Sequence, residues 1–513
     1  MPAAEPAEPD TTLVHALRAL LARRSGAPVT LIETHISWVL LTTTLALKLK
    51  KPVQLPFLDF RTPEQRRHFA LQELRLNRRL APRLYRAVLA VRGSTAAPRF
   101  DGAGEPIDWL LCMRRFADDT LLSQRLAEGR LRPEEVDRLA QRIARFHHDA
   151  PVAAAHGEFG AAQGIAQAAR STLAQLGESG AVPAGIGAWM GTQIDALQAP
   201  WQARLEAGFV REGHGDLHLS NAVVLGDGDV TGFDCIEFDP ALRWIDVMND
   251  IAFVTMDLRA RGRADLAWRF LDAYLQAGGD FAGLAVLRFY EVYRALVRLL
   301  VAQLSLAGGG AAQAGTDYAA CAQALVAEGR RAPRLAILFG LSGSGKSTLA
   351  LGLVQASGAV RVRSDVERKR LFGLAALQRS AASGHALYTA QATHDTYERL
   401  AACVREALAA GYPVLVDGAF LRRDERGAFE ALAREQGAPF TVFACEAAPE
   451  VLRERVAARA AAGRDASEAD LAVLERQMRD HDPLTEAERR HTLVVRTDDA
   501  VDLTALASRW MRG

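Results

Sequence analysis

A glycine-rich loop between an apolar run and a helix-forming run constrains the fold of this chain most strongly. Residues 335–339 read LAILF, which predicts a buried strand, and the pattern Gly340-x-x-x-x-Gly345-Lys346-Ser347 follows directly. In this order of strand, loop and helix, glycines let backbone N–H groups turn toward phosphate oxygens, and the helix N-terminus adds the positive end of its dipole. The sequence therefore predicts a phosphate-binding loop in an α/β domain.

The residue types in this loop predict how it would hold a nucleotide. Lys346 is expected to reach the β- and γ-phosphates of ATP, and the Ser347 hydroxyl is expected to hold Mg²⁺. We expect these loop residues to contact the cofactor: Gly340, Ser342, Gly343, Ser344, Gly345, Lys346, Ser347 and Thr348.

Strand and helix signals alternate after the loop, which predicts a parallel sheet covered by helices on both faces. Asp365 comes just after the strand predicted at 360–362, at the carboxyl edge of the sheet where ligands bind. A carboxylate there can accept the proton of a substrate hydroxyl. Arg368 lies one helical turn further on and is expected to hold a phosphate or the substrate.

Two further features extend this site. Asp417 follows the apolar run 414–416, where a carboxylate can bind the water shell of Mg²⁺. Arg455 and Arg459 lie in an Ala-rich helical stretch that we expect to form a lid over the transferred phosphoryl group and to exclude water.

From 334 to about 500 the sequence resembles the small P-loop kinases, which include gluconate-kinase-like, polynucleotide-kinase-like and zeta-toxin-like enzymes. The resemblance rests on Gly340–Thr348, on Asp365-x-x-Arg368 and on Asp417. It implies ATP and Mg²⁺ as cofactors and an alcohol group as the phosphoryl acceptor.

A second set of polar residues lies in 214–239. The chain reads HGDLHLSN from His214, and Asp234 ends a strand signal at 230–233 after a tight turn. Phosphoryl transfer needs one carboxylate that accepts the hydroxyl proton, and a second carboxylate with an amide that holds Mg²⁺. We therefore expect Asp216 to be the base, and Asn221 and Asp234 to be metal ligands.

Lysine is scarce in this chain and clusters near the N-terminus. Only 5 lysines stand against 57 arginines, and three of them lie at 48, 50 and 51. The predicted strand 45–50 places Lys48 and Lys50 on one face, while Glu73 lies in the predicted helix 62–80. Lys48 is expected to neutralise the ATP phosphates with Glu73 holding it in place; Lys50 is the alternative.

Across about 29–305 the chain resembles the aminoglycoside phosphotransferase and choline kinase group. The HGDLHLSN run and Asp234-x-Ile-Glu carry the resemblance. It implies an α+β protein-kinase-like fold and makes Asp246 and Asp250 structural partners of the catalytic loop. The segment before Lys48 contains no glycine, so the Gly-rich loop of protein kinases is missing.

The predicted organisation is a disordered tail at 1–10, a kinase-like domain at 11–330 and a P-loop kinase domain at 334–513. The tail is acidic and rich in proline. Long helices are expected at 246–277 and 281–306. The Gly/Ala-rich segment 307–315 and the Arg-Ala-Pro run before 334 favour a boundary near 330.

Composition excludes several classes of protein. The charge is +1, with 25 basic and 24 acidic residues from 334 onward and 37 of each before it, so neither part is a general nucleic-acid binder. Five scattered cysteines without a CxxC motif argue against disulfides or a zinc site and favour a reducing compartment, the cytoplasm. No apolar run is long enough to predict a membrane span.

Together these patterns predict two fused ATP-dependent kinases that phosphorylate hydroxyl groups of small molecules. One alternative is a single P-loop kinase whose N-terminal domain is a regulatory, pseudokinase-like module. The other is phosphorylation of nucleic-acid 5′-hydroxyl ends by the C-terminal part.

Overall fold

The structure is a computed structural model in two compact units. The first unit comprises Met1–Ala161 and Arg204–Ile251, and the second comprises Ala162–Ala203 and Ala252–Gly513. The structure describes residues 10–55, 58–307, 316–376, 378, 389–462 and 466–512. Of the tail predicted at 1–10, residues 1–9 lie outside the described residues.

Antiparallel strands dominate the first unit. They are β1 (Thr30–Glu33), β2 (Ser37–Leu41), β3 (Leu45–Lys50), β4 (Gln54–Leu55), β5 (Leu58–Asp59), β6 (Tyr85–Gly93), β7 (Pro98–Arg99), β8 (Asp108–Arg114), β9 (Val210–Glu212), β10 (Ala222–Val224), β11 (Val230–Gly232) and β12 (Trp244–Asp246). Six of them form one sheet in the order β1-β2-β3-β8-β6-β7, and the others pair as β4–β5, β10–β11 and β9–β12.

Among its described residues, four α-helices belong wholly to this unit and two more continue into the second. The four are α1 (Thr12–Ser25), α2 (Pro63–Leu80), α3 (Leu122–Ala127) and α4 (Pro133–Asp149). The connecting helices are α7 (Gln198–Glu206) and α8 (Val247–Ala260).

The two faces of strand β3 carry different kinds of side chain, apolar on one face and lysine on the other, because side chains alternate along a strand. Leu47 and Leu49 are buried in a core shared with α1. Lys48 and Lys50 lie on the opposite face, where both contact Glu73 of α2.

Helix α2 starts at a reciprocal cap that sets the position of Glu73. The Thr62 hydroxyl accepts the N–H of Gln65, and the Gln65 side chain accepts the N–H of Thr62. Pro63 takes the first helical position, where its missing N–H has no intrahelical role.

The second unit is built on a parallel sheet. Its strands are β13 (Leu335–Phe339), β14 (Val360–Arg363), β15 (Val414–Asp417), β16 (Phe440–Glu446) and β17 (Thr492–Arg496), in the order β14-β15-β13-β16-β17. Its helices are α5 (Ala162–Glu178), α6 (Ile186–Ala196), α9 (Ala264–Gly278), α10 (Leu284–Ala307), α11 (Tyr318–Glu328), α12 (Lys346–Ser357), α13 (Ser364–Leu371), α14 (Ala390–Ala409), α15 (Arg423–Glu435), α16 (Pro449–Ala462), α17 (Leu471–Asp480), α18 (Glu486–Arg489) and α19 (Leu503–Arg512).

Both faces of this sheet are covered. Ala336, Leu338 and Leu415 pack in one core with residues of α12 and α19. Leu335 and Ile337, which point the other way, are equally buried, and α14 and α15 contact the same strands. The predicted fold class is confirmed: an antiparallel sheet with helices in the N-terminal part and a helix-covered parallel sheet in the C-terminal part.

The compact units divide the chain differently from the boundary predicted near 330. Helices α9 and α10, which precede that boundary, pack against α12, α14 and β14 of the second unit. The assignment of 11–330 and 334–513 as domains therefore stays a prediction.

The single helix expected at 246–277 is wrong. The structure has two helices, α8 and α9, because Gly262 adopts a left-handed φ of 77° and Arg263 N–H donates back to Leu258 O at 2.8 Å. Glycine adopts this conformation without the steric cost that a Cβ imposes.

The five cysteines are free and buried. Within the described part of the chain, no helix combines the length and apolarity that crossing a bilayer requires.

Candidate active sites

A buried carboxylate holds the loop that carries His214, Gly215 and Asp216. Asp250 Oδ2 accepts the N–H of His214 at 2.7 Å, and Oδ1 accepts the N–H of Gly215 at 2.9 Å. Asp250 Oδ2 also lies 3.1 Å from His147 Nε2. Burial alone would raise the pKa of Asp250, but the contacts with His147 and His214 outweigh it and lower the pKa to about 2.

Glycine is required at the centre of this loop. Gly215 has a φ of 87°, and a Cβ there would lie 2.6 Å from Leu242 O. Only a residue without a side chain allows this close approach of two backbone segments. The turn thereby places Asp216 at the surface of the site, with its side chain about one-third exposed.

The β10–β11 hairpin brings the two predicted metal ligands to one end. Asn221 immediately precedes β10, and Asp234 follows β11 by two residues, with Phe233 N–H donating to Asn221 O at 2.9 Å. Asn221 Nδ2 donates to the backbone O of Asp216 at 2.9 Å and to its Oδ2 at 3.1 Å. His218 Nε2 lies 3.4 Å from the same Oδ2.

Asp234 is held in an unusual backbone conformation. Its φ is 64°, and its N–H donates to the Tyr85 hydroxyl at 3.0 Å. A non-glycine residue in the left-handed region costs on the order of 1–2 kcal/mol, and such residues cluster at functional sites. The conformation aims the Asp234 carboxylate at Lys48.

Lys48 bridges the helix and the hairpin. Its Nζ donates to Glu73 Oε1 and to Asp234 Oδ1, both at 2.8 Å. Burial would lower the pKa of Lys48, but the carboxylates of Asp234 and Glu73 outweigh it and raise the pKa. Lys50 Nζ donates to Glu73 Oε2 at 2.8 Å and also bonds Glu237, so its ammonium is enclosed by two buried carboxylates.

Asp246 has a different structural role from Asp250. It makes two hydrogen bonds with Arg204, at 2.6 and 2.8 Å, and accepts the N–H of Met248 at 2.8 Å. It therefore stabilises the start of α8.

The phosphate loop of the second unit packs too tightly for any side chain at two of its glycines. A Cβ at Gly340 would lie 2.6 Å from Cys445 O, and one at Gly343 would lie 2.6 Å from Leu452 O. The loop ends at Gly345, and α12 starts at Lys346 with first-turn N–H groups that have no intrahelical acceptor. This glycine cradle at a helix N-terminus fits a phosphate group.

The ammonium of Lys346 lies inside the loop. Its Nζ donates to Gly340 O at 2.8 Å and to Leu341 O at 2.7 Å. Burial lowers the pKa of Lys346 more than the carboxylates of Asp417 and Asp365 raise it.

Asp417 fits a magnesium–water shell. The Ser347 hydroxyl donates to Asp417 Oδ1 at 3.2 Å. Among the described residues no hydrogen bond reaches the buried Oδ2, although Arg363 Nε lies 3.4 Å and Arg361 Nη1 3.6 Å from it. A hydroxyl beside a buried carboxylate oxygen is a donor set that Mg²⁺ accepts.

A cavity of about 870 Å³ joins most of the predicted residues of this unit. Its predicted lining residues are Ser342, Gly343, Gly345, Lys346, Ser347, Thr348, Asp365, Arg368, Asp417, Arg455 and Arg459. Gly340 and Ser344 do not line it, because Gly340 faces Cys445 and Ser344 is buried.

Residues without any motif also line this cavity. They are Ser364, Thr393, Tyr397, Gln477 and His481, among others. Gln477 Oε1 accepts the N–H of Ser342 at 2.8 Å, and Thr393 Oγ1 lies 3.3 Å from Arg368 Nη1. Nothing in the sequence predicted Thr393, Tyr397 and Gln477, because α14 and α17 reach the site only through tertiary packing.

A smaller cavity of about 370 Å³ adjoins the loop. It is lined by Gly345, Thr348, Leu349, Arg455, Thr497, Asp499, Val501 and Leu503. Arg455 donates to the Thr497 hydroxyl at 3.0 Å and to its backbone O at 2.8 Å. Arg459 donates to Ala469 O at 3.0 Å, so both predicted lid arginines are anchored to backbone.

The parallel sheet, the glycine loop and Asp417 define a P-loop nucleotide-binding domain. The family model described as an AAA domain matches residues 335–484, which confirms the P-loop domain predicted from the sequence.

Two mycobacterial proteins align with nearly the whole chain. "Uncharacterized protein Rv2004c" of Mycobacterium tuberculosis is 31% identical over 463 residues, which are 88% of this chain and 90% of that protein. "Uncharacterized protein Mb2027c" of Mycobacterium bovis matches with the same identity and coverage. The chain belongs to the family of these proteins.

Two solved structures are each similar to part of the chain. A choline/ethanolamine kinase family protein from Mesorhizobium loti is 14% identical, with a TM-score of 0.37, and covers 61% of this chain and 92% of its own. A gluconokinase from Sinorhizobium meliloti is 21% identical, with a TM-score of 0.25, and covers 36% of this chain and 94% of its own.

Proposed function

We propose that this protein is a bifunctional ATP-dependent phosphotransferase in which each unit transfers the γ-phosphoryl group of ATP to a hydroxyl of a small molecule. The observation that carries the proposal is the meeting of Lys346, Ser347, Asp417, Asp365 and Arg368 around one cavity. Phosphoryl transfer depends mainly on positioning and charge stabilisation, and these are the groups it requires.

At the P-loop site, Asp365 accepts the proton of the acceptor hydroxyl while Arg368 orients the acceptor or its phosphate. Lys346 exchanges its bonds to the loop carbonyls for bonds to the ATP phosphates. Ser347 and Asp417 would hold Mg²⁺, which when bound neutralises charge on the phosphate oxygens.

The smaller cavity suits the rest of the nucleotide. Leu349, Val501 and Leu503 offer an apolar slot beside the loop, and Arg455 lies at its border. We assign the adenine to this slot, with Arg455 and Arg459 covering the phosphates as the lid.

At the site of the first unit, Asp216 is the base, and Asn221 and Asp234 would hold Mg²⁺. We assign the ATP phosphates to Lys48 rather than Lys50, because Lys48 touches the ligand Asp234. Lys50 is enclosed by carboxylates and only 3% exposed, which suits a structural charge.

The turn between β1 and β2 supports the alternative of a regulatory first unit. It contains Thr34, His35 and Ile36 and no glycine that would let backbone N–H groups wrap a phosphate. The retained set of Lys48, Glu73, Asp216, Asn221 and Asp234 favours the catalytic assignment.

A phosphoryl-transfer screen separates these possibilities. Labelled ATP is offered with pooled metabolites and with 5′-hydroxyl oligonucleotides to the wild type, to Asp216→Ala, and to the double variant Lys346→Ala/Asp365→Ala. We expect each variant to lose one class of small-molecule product and keep the other.

Three outcomes would contradict parts of the proposal. Unchanged products with Asp216→Ala would reduce the first unit to a regulatory module. Unchanged products with the double variant would refute the P-loop assignment. Labelled oligonucleotides in place of labelled metabolites would identify a nucleic-acid end kinase.

A further inference from the structure

A helix that precedes the P-loop segment reaches the candidate magnesium site. Asp272 of α9 makes two hydrogen bonds with Arg361 of β14, from Nε at 3.1 Å and from Nη2 at 2.6 Å. Gln276, one turn further along α9, donates to Arg361 O at 2.9 Å and to Asp272 Oδ1 at 3.3 Å. Asp272 lies 63 residues before the segment that the AAA domain model matches at 335.

Arg361 connects this helix to both parts of the magnesium site. Its Nη1 donates to Ser347 O at 3.2 Å and lies 3.6 Å from Asp417 Oδ2. The side chains of Arg361, Asp272 and Asp417 are each less than a tenth exposed, so water screens their charges weakly.

The charge balance at Asp417 depends on Asp272. Arg363 Nε also lies 3.4 Å from Asp417 Oδ2, so two guanidinium groups border one carboxylate. A carboxylate neutralised by two cations attracts Mg²⁺ weakly. The two-bond pairing with Asp272 places a buried carboxylate on Arg361 and fixes the Arg361 guanidinium toward α9.

We propose that Asp272 is a positioning residue of the P-loop site, which neutralises Arg361 so that Asp417 keeps its negative charge for Mg²⁺. The inference rests on the proposed nucleotide and magnesium site. It makes a helix outside the P-loop segment part of that site.

The test is equilibrium binding of a fluorescent ATP analogue to the full chain while Mg²⁺ is titrated. The signal that Lys346→Ala removes is assigned to the P-loop. For Asp272→Asn we expect the half-saturating Mg²⁺ concentration at this site to rise about tenfold, the usual size of an outer-shell effect. Binding of the analogue without Mg²⁺ is expected to stay unchanged.

A matched control and a double variant separate charge balance from loss of structure. Asp265→Asn removes a carboxylate from the same helix, where it pairs with Arg263 at the surface, and should leave the Mg²⁺ titration unchanged. Asp272→Asn/Arg361→Gln removes the uncompensated cation too, so its Mg²⁺ requirement should return to within about threefold of wild type, since deleting both partners costs less than deleting one.

Each result is decisive. If Asp272→Asn titrates like the wild type, or if the double variant is impaired as much as Asp272→Asn, the inference is refuted while the P-loop proposal stands. If the wild type shows no Mg²⁺-dependent signal that Lys346→Ala removes, the P-loop proposal fails and the inference fails with it.

Discussion

Replacing Asp250 with asparagine should loosen the loop that carries Asp216. The Asp250 carboxylate accepts the N–H groups of His214 and Gly215, and its pKa is lowered from 3.8 to about 2. A depression of nearly two pKa units corresponds to about 2.5 kcal/mol of stability that the charged form supplies. The amide of asparagine carries no charge, so we expect this contribution to be lost.

The direction of the pH effect follows from the lowered pKa of Asp250. The contribution is fully present above the unfolded value of 3.8 and is lost as the pH falls toward about 2. The wild type should therefore keep the loop protected between pH 7 and pH 5, and lose protection only between about pH 4 and pH 2.

Hydrogen–deuterium exchange of a peptide covering 210–221 measures this loop alone. At pH 7 the amides of His214 and Gly215 should exchange about 60-fold faster in Asp250→Asn, which is the rate ratio for about 2.5 kcal/mol. Asp239→Asn, which removes the charge of an exposed carboxylate that accepts the N–H of Ala241, is the control and should exchange like the wild type. Equal exchange in Asp250→Asn and the wild type would refute the reasoning.

Two further pairs of substitutions test the residues that we propose to bind phosphate. Lys48→Ala should lower kcat of the first-unit reaction by at least about a hundredfold. Lys50→Ala should mainly lower the melting temperature, because it leaves the buried carboxylate of Glu237 without its lysine while Glu73 keeps Lys48. The reverse pattern would reassign the phosphate contact to Lys50. Gly343→Ala should abolish binding of the fluorescent ATP analogue at the P-loop, because its Cβ would lie 2.6 Å from Leu452 O at a φ of 82°. The control Gly427→Ala has open space around its added Cβ and should bind the analogue like the wild type.

Most of the fold was predictable because its elements depend on short stretches of chain. Strand β3 and helix α2 were expected at 45–50 and 62–80, and the structure has Leu45–Lys50 and Pro63–Leu80. Period-two alternation and an N-terminal cap are local signals. The break at Gly262 was missed because one glycine in a helical pattern is often tolerated, and its φ decides the outcome.

The residues of the candidate sites also divide into those that the local sequence predicts and those that only tertiary packing brings together. The phosphate loop spans Gly340 to Thr348, so its residues meet wherever the loop folds, and the pairing of Asp216 with Asn221 is equally local. The sequence also placed Lys48 and Lys50 on one face, but it could not distinguish their roles. Their partners Asp234 and Glu237 lie more than 180 residues away, and only tertiary packing decides which lysine faces which carboxylate.

The sequence by itself therefore determined the phosphate loop, the candidate motif of the first unit and the class of fold that carries each, since these follow from local backbone geometry and side-chain periodicity. Tertiary structure alone decided which distant groups complete each site. Asp272 and Gln477 belong to no motif, and they contact Arg361 and Ser342 only because α9 and α17 pack beside the phosphate loop. Contacts of this kind depend on how buried surfaces fit together, which no spacing in the sequence records.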